Sequence, residues 1–204
     1  MPKLFPYMHV ENFLSDELSQ QLFSYAVESK DKYTPSRVGS KANEDGRVDD
    51  KIRISHVLRD LGPFESVMQQ KIHEFYPDML IGLKMAGFNV REKIELELAA
   101  HGDGAFFKPH IDMRLGETGD RVLSAVYYMH SQPKAFSGGE LRIFPLEIMP
   151  GDDKPVAIEP KHNSLLIFQS YVHHEVLPVV CPGAAFGEYR FAVNCWVHKT
   201  PVSH

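Results

Sequence analysis

The sequence predicts a mainly β fold, an antiparallel sandwich or jelly roll supported by N-terminal helices. Two patterns predict it. Before about residue 92 apolar residues recur at helical spacing; from about Lys93 they alternate with period two, in short runs split by Gly, Pro and Asp. A third observation removes the main competitor. No GxGxxG and no P-loop lies between a strand and a helix, which disfavours a Rossmann-type sheet.

The first helix is predicted over DELSQQLFSYAVESK. Ser15 is placed to cap it, and Leu14, Leu18, Leu22, Phe23 and Ala26 form its apolar stripe. A second helix starts after the Gly62-Pro63 break, carries Phe64, Val67, Met68, Ile72 and Phe75, and is expected to end near Pro77. Between them the stretch from Tyr33 to Asp50 is rich in Ser, Gly, Asn and Asp and reads as a long loop, a candidate lid with Arg53 following it. The strands come next: KIELELAA, RVLSAVYYM, GELRIFP, PVAIEP, SLLIFQSYV and RFAVNCWV. One domain over 1–204 is expected, with 1–92 as helical lead and lid loop and 93–204 as the jelly-roll core.

Composition narrows the function classes. With 204 residues the chain can bury a core without staples, and its net charge of −5 disfavours nucleic acid or an anionic membrane as partner. No run approaches the ~18 consecutive apolar residues of a membrane span. Cys181 and Cys195 fall in no CxxC pattern, and the start lacks a basic segment followed by an apolar run. A reducing, cytoplasmic setting is therefore expected.

The chemistry lies in a small set of residues. His110 and Asp112 flank a single residue, and on a strand such a pair shares one face and can reach one ion. Alone the pair means little, since in a chain this rich in His and Asp chance gives about 0.6 HxD matches. His173-His174, at the end of SLLIFQSYV, offers a third ligand. Alternation sends the two histidines to opposite faces, so only one of them belongs to the set. Two imidazoles and one carboxylate, with no thiolate nearby, make a facial triad that suits Fe(II) and leaves positions open. Arg190 begins the strand RFAVNCWV, where a guanidinium can neutralise the far carboxylate of a dicarboxylate ligand through two parallel hydrogen bonds.

GDGAFFKPHIDMR, RVLSAVYYMH, FSGGELRIF, LLIFQSYVHHEVLPV and YRFAVNCWVH, in this order, resemble the prolyl-4-hydroxylase-like branch of the Fe(II)/2-oxoglutarate dioxygenases. The likeness runs from about Glu95 to His198. It implies a double-stranded β-helix with iron at its open end. It implies His174, which opens HEVLPV, as the distal ligand beside His110 and Asp112, and Arg190 as the residue that binds 2-oxoglutarate. Tyr128 is implied as a second contact to the same carboxylate, with Tyr127 facing the other way and Asn194 lining the pocket. The implied activity uses Fe(II), 2-oxoglutarate and O2 to hydroxylate an unactivated C–H of an amino-acid residue or small metabolite, with release of succinate and CO2.

The chain departs from the family at one place. Ala100-His101 stands where many members carry a tyrosine that contacts the cosubstrate. The retained Asp112 disfavours a halogenase. Two alternatives remain in view: a non-catalytic metal-binding jelly-roll protein, and a cupin-type metalloenzyme that needs no 2-oxoglutarate. Lys108 and Arg114, which flank HxD, are further candidates for contact with substrate.

Overall fold

The structure is a computed structural model that describes residues 5–39, 46–113, 121–145 and 154–200. Arg114 and residues 40–45 of the expected lid lie outside these. Among the described residues the chain is mainly β with two N-terminal α-helices. No helix among the described residues is long and apolar enough to cross a membrane.

Helix α1 spans Asp16–Glu28; the Ser15 hydroxyl accepts from the Leu18 N–H, and Asp16 and Glu17 sit in the first turn, where the helix dipole favours acid. Helix α2 spans Phe64–Gly82, so it does not end at Pro77 as expected. Pro77 and His73 are both exposed, so the His73 carbonyl that loses its helical donor can turn to water. Beyond Pro77, Met79 and Leu83 are fully buried, and that burial carries the helix onward.

Fourteen strands are described. The lead contributes β1 (Tyr7–Glu11), β2 (Thr34–Pro35), β3 (Arg53–Ile54) and β4 (His56–Leu58). Then come β5 (Glu95–His101), β6 (Phe106–His110), β7 (Arg121–Met129), β8 (Ser137–Gly138) and β9 (Leu141–Ile143). The last are β10 (Val156–Ile158), β11 (Ser164–Gln169), β12 (His174–Val176), β13 (Val179–Val180) and β14 (Arg190–His198). The lead is thus not only helical. Its strand β1 is an edge strand, paired with β11, and its few residues between Pro6 and Asn12 are too short for a periodic signal. At the expected lid, Val38 and Arg47 exchange backbone bonds of 2.8 and 2.9 Å and close the loop at its base.

The strands form a seven-stranded sheet in the order β1-β11-β7-β14-β5-β4-β2, a five-stranded sheet in the order β10-β9-β12-β6-β3, and the small pair β13-β8. Pairing is antiparallel throughout. One face of the large sheet packs on the helices, bringing Leu98, Leu123, Tyr127 and Val193 against Leu22, Met68 and Ile72. Its other face meets the small sheet, where Val126, Tyr128, Phe168 and Ala192 pack with Leu141, Ile143 and Ile158. Central strands covered on both faces read as unbroken apolar runs, as SLLIFQ does.

Candidate active site

The site lies between the two sheets. His110 ends β6 and His174 opens β12, and the two are direct partners in that antiparallel pair. Their rings are 4.2 Å apart. Asp112 is not on the strand, as the sequence reading had it. The chain leaves β6 at His110, and the N–H groups of Asp112 and Met113 both donate to the Ser170 carbonyl, at 2.9 and 2.8 Å. That hook, rather than strand alternation, turns the carboxylate toward the imidazoles. The carboxylate oxygens of Asp112 stand 3.7 Å from Nε2 of His110 and 3.7 Å from Nε2 of His174. Donor atoms of the three residues lie within 4.8 Å of one another, a spacing one metal ion can bridge.

The tautomers suit a metal. His110 Nδ1 lies 2.7 Å from the Lys108 carbonyl and His174 Nδ1 lies 2.9 Å from that of Val172. A carbonyl only accepts, so Nδ1 carries the proton on both rings and Nε2 keeps its lone pair facing Asp112. His110 is further fixed by Phe107, stacked at 3.5 Å. Burial, with His174 beside it, pushes His110 down to about 3, so its ring is neutral near pH 7. Burial pushes the Asp112 carboxyl up, but the two imidazoles and hydrogen bonds from Trp196 and Ser124 outweigh it and hold the group below the usual range. His173, by contrast, is exposed.

A narrow pocket of about 40 Å³ continues from the triad to His101, Val126, Leu141, Arg190, Asn194 and Trp196. Strand register explains its shape. Across β5, β14 and β7 the facing rows are His101–Arg190, then Ala99–Ala192–Tyr128, then Glu97–Asn194–Val126, then Glu95–Trp196–Ser124. In the middle row Ala99 and Ala192 are small and leave room beside Tyr128 between Arg190 and the triad. Arg190 is 2% exposed. Its Nε donates to the Gly139 carbonyl at 2.8 Å and its Nη1 to His101 Nδ1 at 3.2 Å. No carboxylate among the described residues pairs with it. Gly139 is required there: φ is +71°, and an added Cβ would sit 2.7 Å from Arg190 Cδ. The guanidinium lies over the Tyr128 ring, 5.0 Å from its centre. The Tyr128 hydroxyl is buried and makes no hydrogen bond of good geometry; burial pushes it up to about 12, while the nearby Arg190 guanidinium pulls the other way. Tyr127 faces the other way, where its hydroxyl meets Ser19 and Asn163.

Outside the triad the pocket opens into a cleft of about 900 Å³, bordered by Arg37, Arg47, Arg53, Arg59, Glu97 and Ile111. Arg53 lies over Phe107 and pairs with Glu97 at 3.1 Å; Arg121 lies over Trp196 and pairs with Glu95. Lys108 is exposed and does not border the cleft. Sequence reasoning missed Ser124 and Trp196. Both were within reach of a period-two count, Ser124 on the face of Tyr128 and Trp196 on the face of Arg190 and Asn194.

Two imidazoles and one carboxylate, brought together between β-sheets, form a donor set of the facial-triad type that would hold a metal. The family model described as "2OG-Fe(II) oxygenase superfamily" matches residues 96–198, and the chain belongs to that superfamily. It is 36% identical over 199 residues to an uncharacterized PKHD-type hydroxylase of Synechocystis sp., covering 95% of this chain. The chain spans about 63% of that relative's length. The fold is similar to a Pseudomonas putida prolyl-4-hydroxylase (TM-score 0.68, 22% identity, 97% of this chain and 94% of that one). It is also similar to a Trichoplax adhaerens prolyl hydroxylase solved with a hypoxia inducible factor peptide fragment (TM-score 0.71, 17% identity, 96% and 84%).

Proposed function

We propose that the protein is an Fe(II)- and 2-oxoglutarate-dependent dioxygenase that hydroxylates an unactivated C–H of an amino-acid residue or small metabolite. One observation carries this reading: a fully buried arginine without a carboxylate partner shares a pocket with an open triad. An isolated buried charge costs several kcal/mol, so a fold that retains one is built around an anion. The buried Tyr128 hydroxyl, on the ring over which that arginine lies, has no hydrogen bond of good geometry and supports the same ligand.

The donor set fits iron. His110 and His174 present Nε2, Asp112 an oxygen, and no thiolate competes. The chemistry supplied by bound iron with 2-oxoglutarate and O2 is oxidative decarboxylation to succinate and CO2, coupled to hydroxylation. The chain's own share is holding and shielding. Arg190 and Tyr128 would bind the far carboxylate, with Asn194 beside them. Phe107, Val126, Leu141 and Trp196 would keep bulk water from the centre. The narrow inner pocket obliges the diacid to reach toward the cleft, which has ample room for a side chain on a peptide or for a free metabolite.

On this reading the two facing sheets form a double-stranded β-helix and 1–204 acts as one domain. The buried free thiols of Cys181 and Cys195 are compatible with a cytoplasmic setting. Anaerobic addition of Fe(II) and 2-oxoglutarate should produce the weak visible charge-transfer band of their chelate. No band, with no 2-oxoglutarate binding by calorimetry, would leave a non-catalytic metal-binding protein or a cupin-type enzyme as the better reading.

A further inference from the structure

We propose that His101 is a positioning residue for Arg190: as a neutral acceptor it sets the rotation of the guanidinium while leaving its charge to an incoming carboxylate. The inference rests on the reading of this pocket as the 2-oxoglutarate site. His101 and Arg190 are register partners on β5 and β14, 4% and 2% exposed, and joined at 3.2 Å. A guanidinium can only donate, so His101 Nδ1 must be the bare nitrogen and Nε2 must carry the proton. Burial and the adjacent Arg190 push His101 well below the ordinary histidine range, which keeps the ring uncharged. With Gly139 accepting from Nε, two neutral groups hold the fork, and neither cancels its charge.

The face of β5 makes the point by contrast. At alternate positions it carries Glu95, Glu97, Ala99 and His101. Glu95 pairs with Arg121 and Glu97 with Arg53, two further arginines near the triad, with side chains only 6% and 10% exposed. Each of those cations is neutralised from β5 by a carboxylate. Arg190 alone meets an imidazole from that face. A carboxylate at 101 would complete the series and occupy the anchor with an internal anion.

Three variants at this position test it: His101→Glu, His101→Phe and His101→Gln, each loaded anaerobically with Fe(II) and titrated with 2-oxoglutarate by calorimetry. Metal affinity, read separately by chelator competition, should stay near wild type in all three, because His101 is not a ligand. His101→Glu should lose 2-oxoglutarate affinity by about a hundredfold or more, and His101→Phe by about tenfold, through loss of the fixed fork. His101→Gln, whose amide oxygen can accept from Arg190, should recover most of the loss in His101→Phe. A purely structural role predicts instead that the charged variant and the apolar one fail together, in metal binding as much as in 2-oxoglutarate binding. ¹⁵N NMR of the wild-type ring gives a measurement independent of mutation, and a proton on Nδ1 would overturn the proposal. So would His101→Glu protein that binds 2-oxoglutarate as wild type does. Wild-type protein that binds no 2-oxoglutarate would overturn the pocket reading itself and this inference with it.

Discussion

The Ser124 hydroxyl donates to Asp112 Oδ2 at 2.8 Å, so the rotation of the triad's only carboxylate is set before a cation arrives. Ser124 also shares a 2.9 Å hydrogen bond with the hydroxyl of Ser170, whose carbonyl hooks the Asp112 backbone. Ser124→Ala should therefore weaken Fe(II) binding by about tenfold to a hundredfold while leaving the fold intact. Chelator competition reads the affinity. No change would mean that the Ser170 hook and Trp196 suffice to hold the carboxylate.

The adjacent histidines should separate cleanly. His174→Ala removes a buried donor and should abolish iron binding and turnover. His173→Ala alters an exposed ring and should leave a folded, iron-binding protein. Metal content after dialysis distinguishes them, and reversed phenotypes would assign the wrong histidine.

Arg190→Met keeps length and removes charge. Affinity for 2-oxoglutarate should fall by about two orders of magnitude, at about 1.4 kcal/mol per tenfold. Iron affinity should stay level, and Arg190→Lys should rescue only in part, since a point charge cannot copy a planar fork. Calorimetry that finds 2-oxoglutarate bound equally well by Arg190→Met would refute the anchor.

Two neighbouring tyrosines should give opposite answers to the same substitution. The Tyr127 hydroxyl is bonded to Ser19 at 2.8 Å and Asn163 at 3.0 Å, so Tyr127→Phe should cost about 1 kcal/mol of stability with no effect on ligands. The Tyr128 hydroxyl makes no hydrogen bond of good geometry and interacts only weakly with the nearby Arg190 guanidinium, so Tyr128→Phe should cost the fold little and reduce 2-oxoglutarate affinity by about tenfold. Paired denaturation and binding curves check both. A destabilised Tyr128→Phe would show that its hydroxyl is already satisfied within the fold.

Glu95 contributes a pH-dependent share of stability. Burial pushes its carboxyl up, but hydrogen bonds from His198 and Arg121 outweigh this and bring it from 4.5 to about 2. A folded value below the unfolded one stabilises the protein above about pH 4.5, and the contribution is lost as pH falls toward 2. The carboxylate is partly exposed, so screening trims its worth to about 1 kcal/mol. Glu95→Gln should lower the urea midpoint at pH 7, and the gap from wild type should close below pH 4.5. A gap that is constant with pH would assign the loss to packing.

What could be read in advance was whatever is decided by local pattern. The runs after Lys93 become strands because alternation and β-branched residues suffice to specify a covered sheet, and Ser15 caps α1 because capping is a matter of a few adjacent residues. What depends on distant partners was hidden. Helix α2 outlasts Pro77 because Met79 and Leu83 find burial, and β1 exists because β11 offers an edge. Asp112 leaves the strand because Ser170, far along the chain, supplies a carbonyl to hook it. Ser124 and Trp196 carried a usable periodicity, but nothing local says that they meet a carboxylate.

The triad rides on the small sheet and its β6 exit, whereas Arg190 rides on the large one. The span between the two anchors is therefore set by how thickly Val126, Phe168, Leu141 and Ile143 pad the layers apart. On the proposed reading the protein would gauge the length of a bound diacid with its own hydrophobic filling, as a caliper whose jaws are two sheets. Acids one carbon shorter or longer than 2-oxoglutarate should then meet only one jaw properly, with Phe168 and Ile143 setting the gap from behind the Val126 and Leu141 that line the pocket.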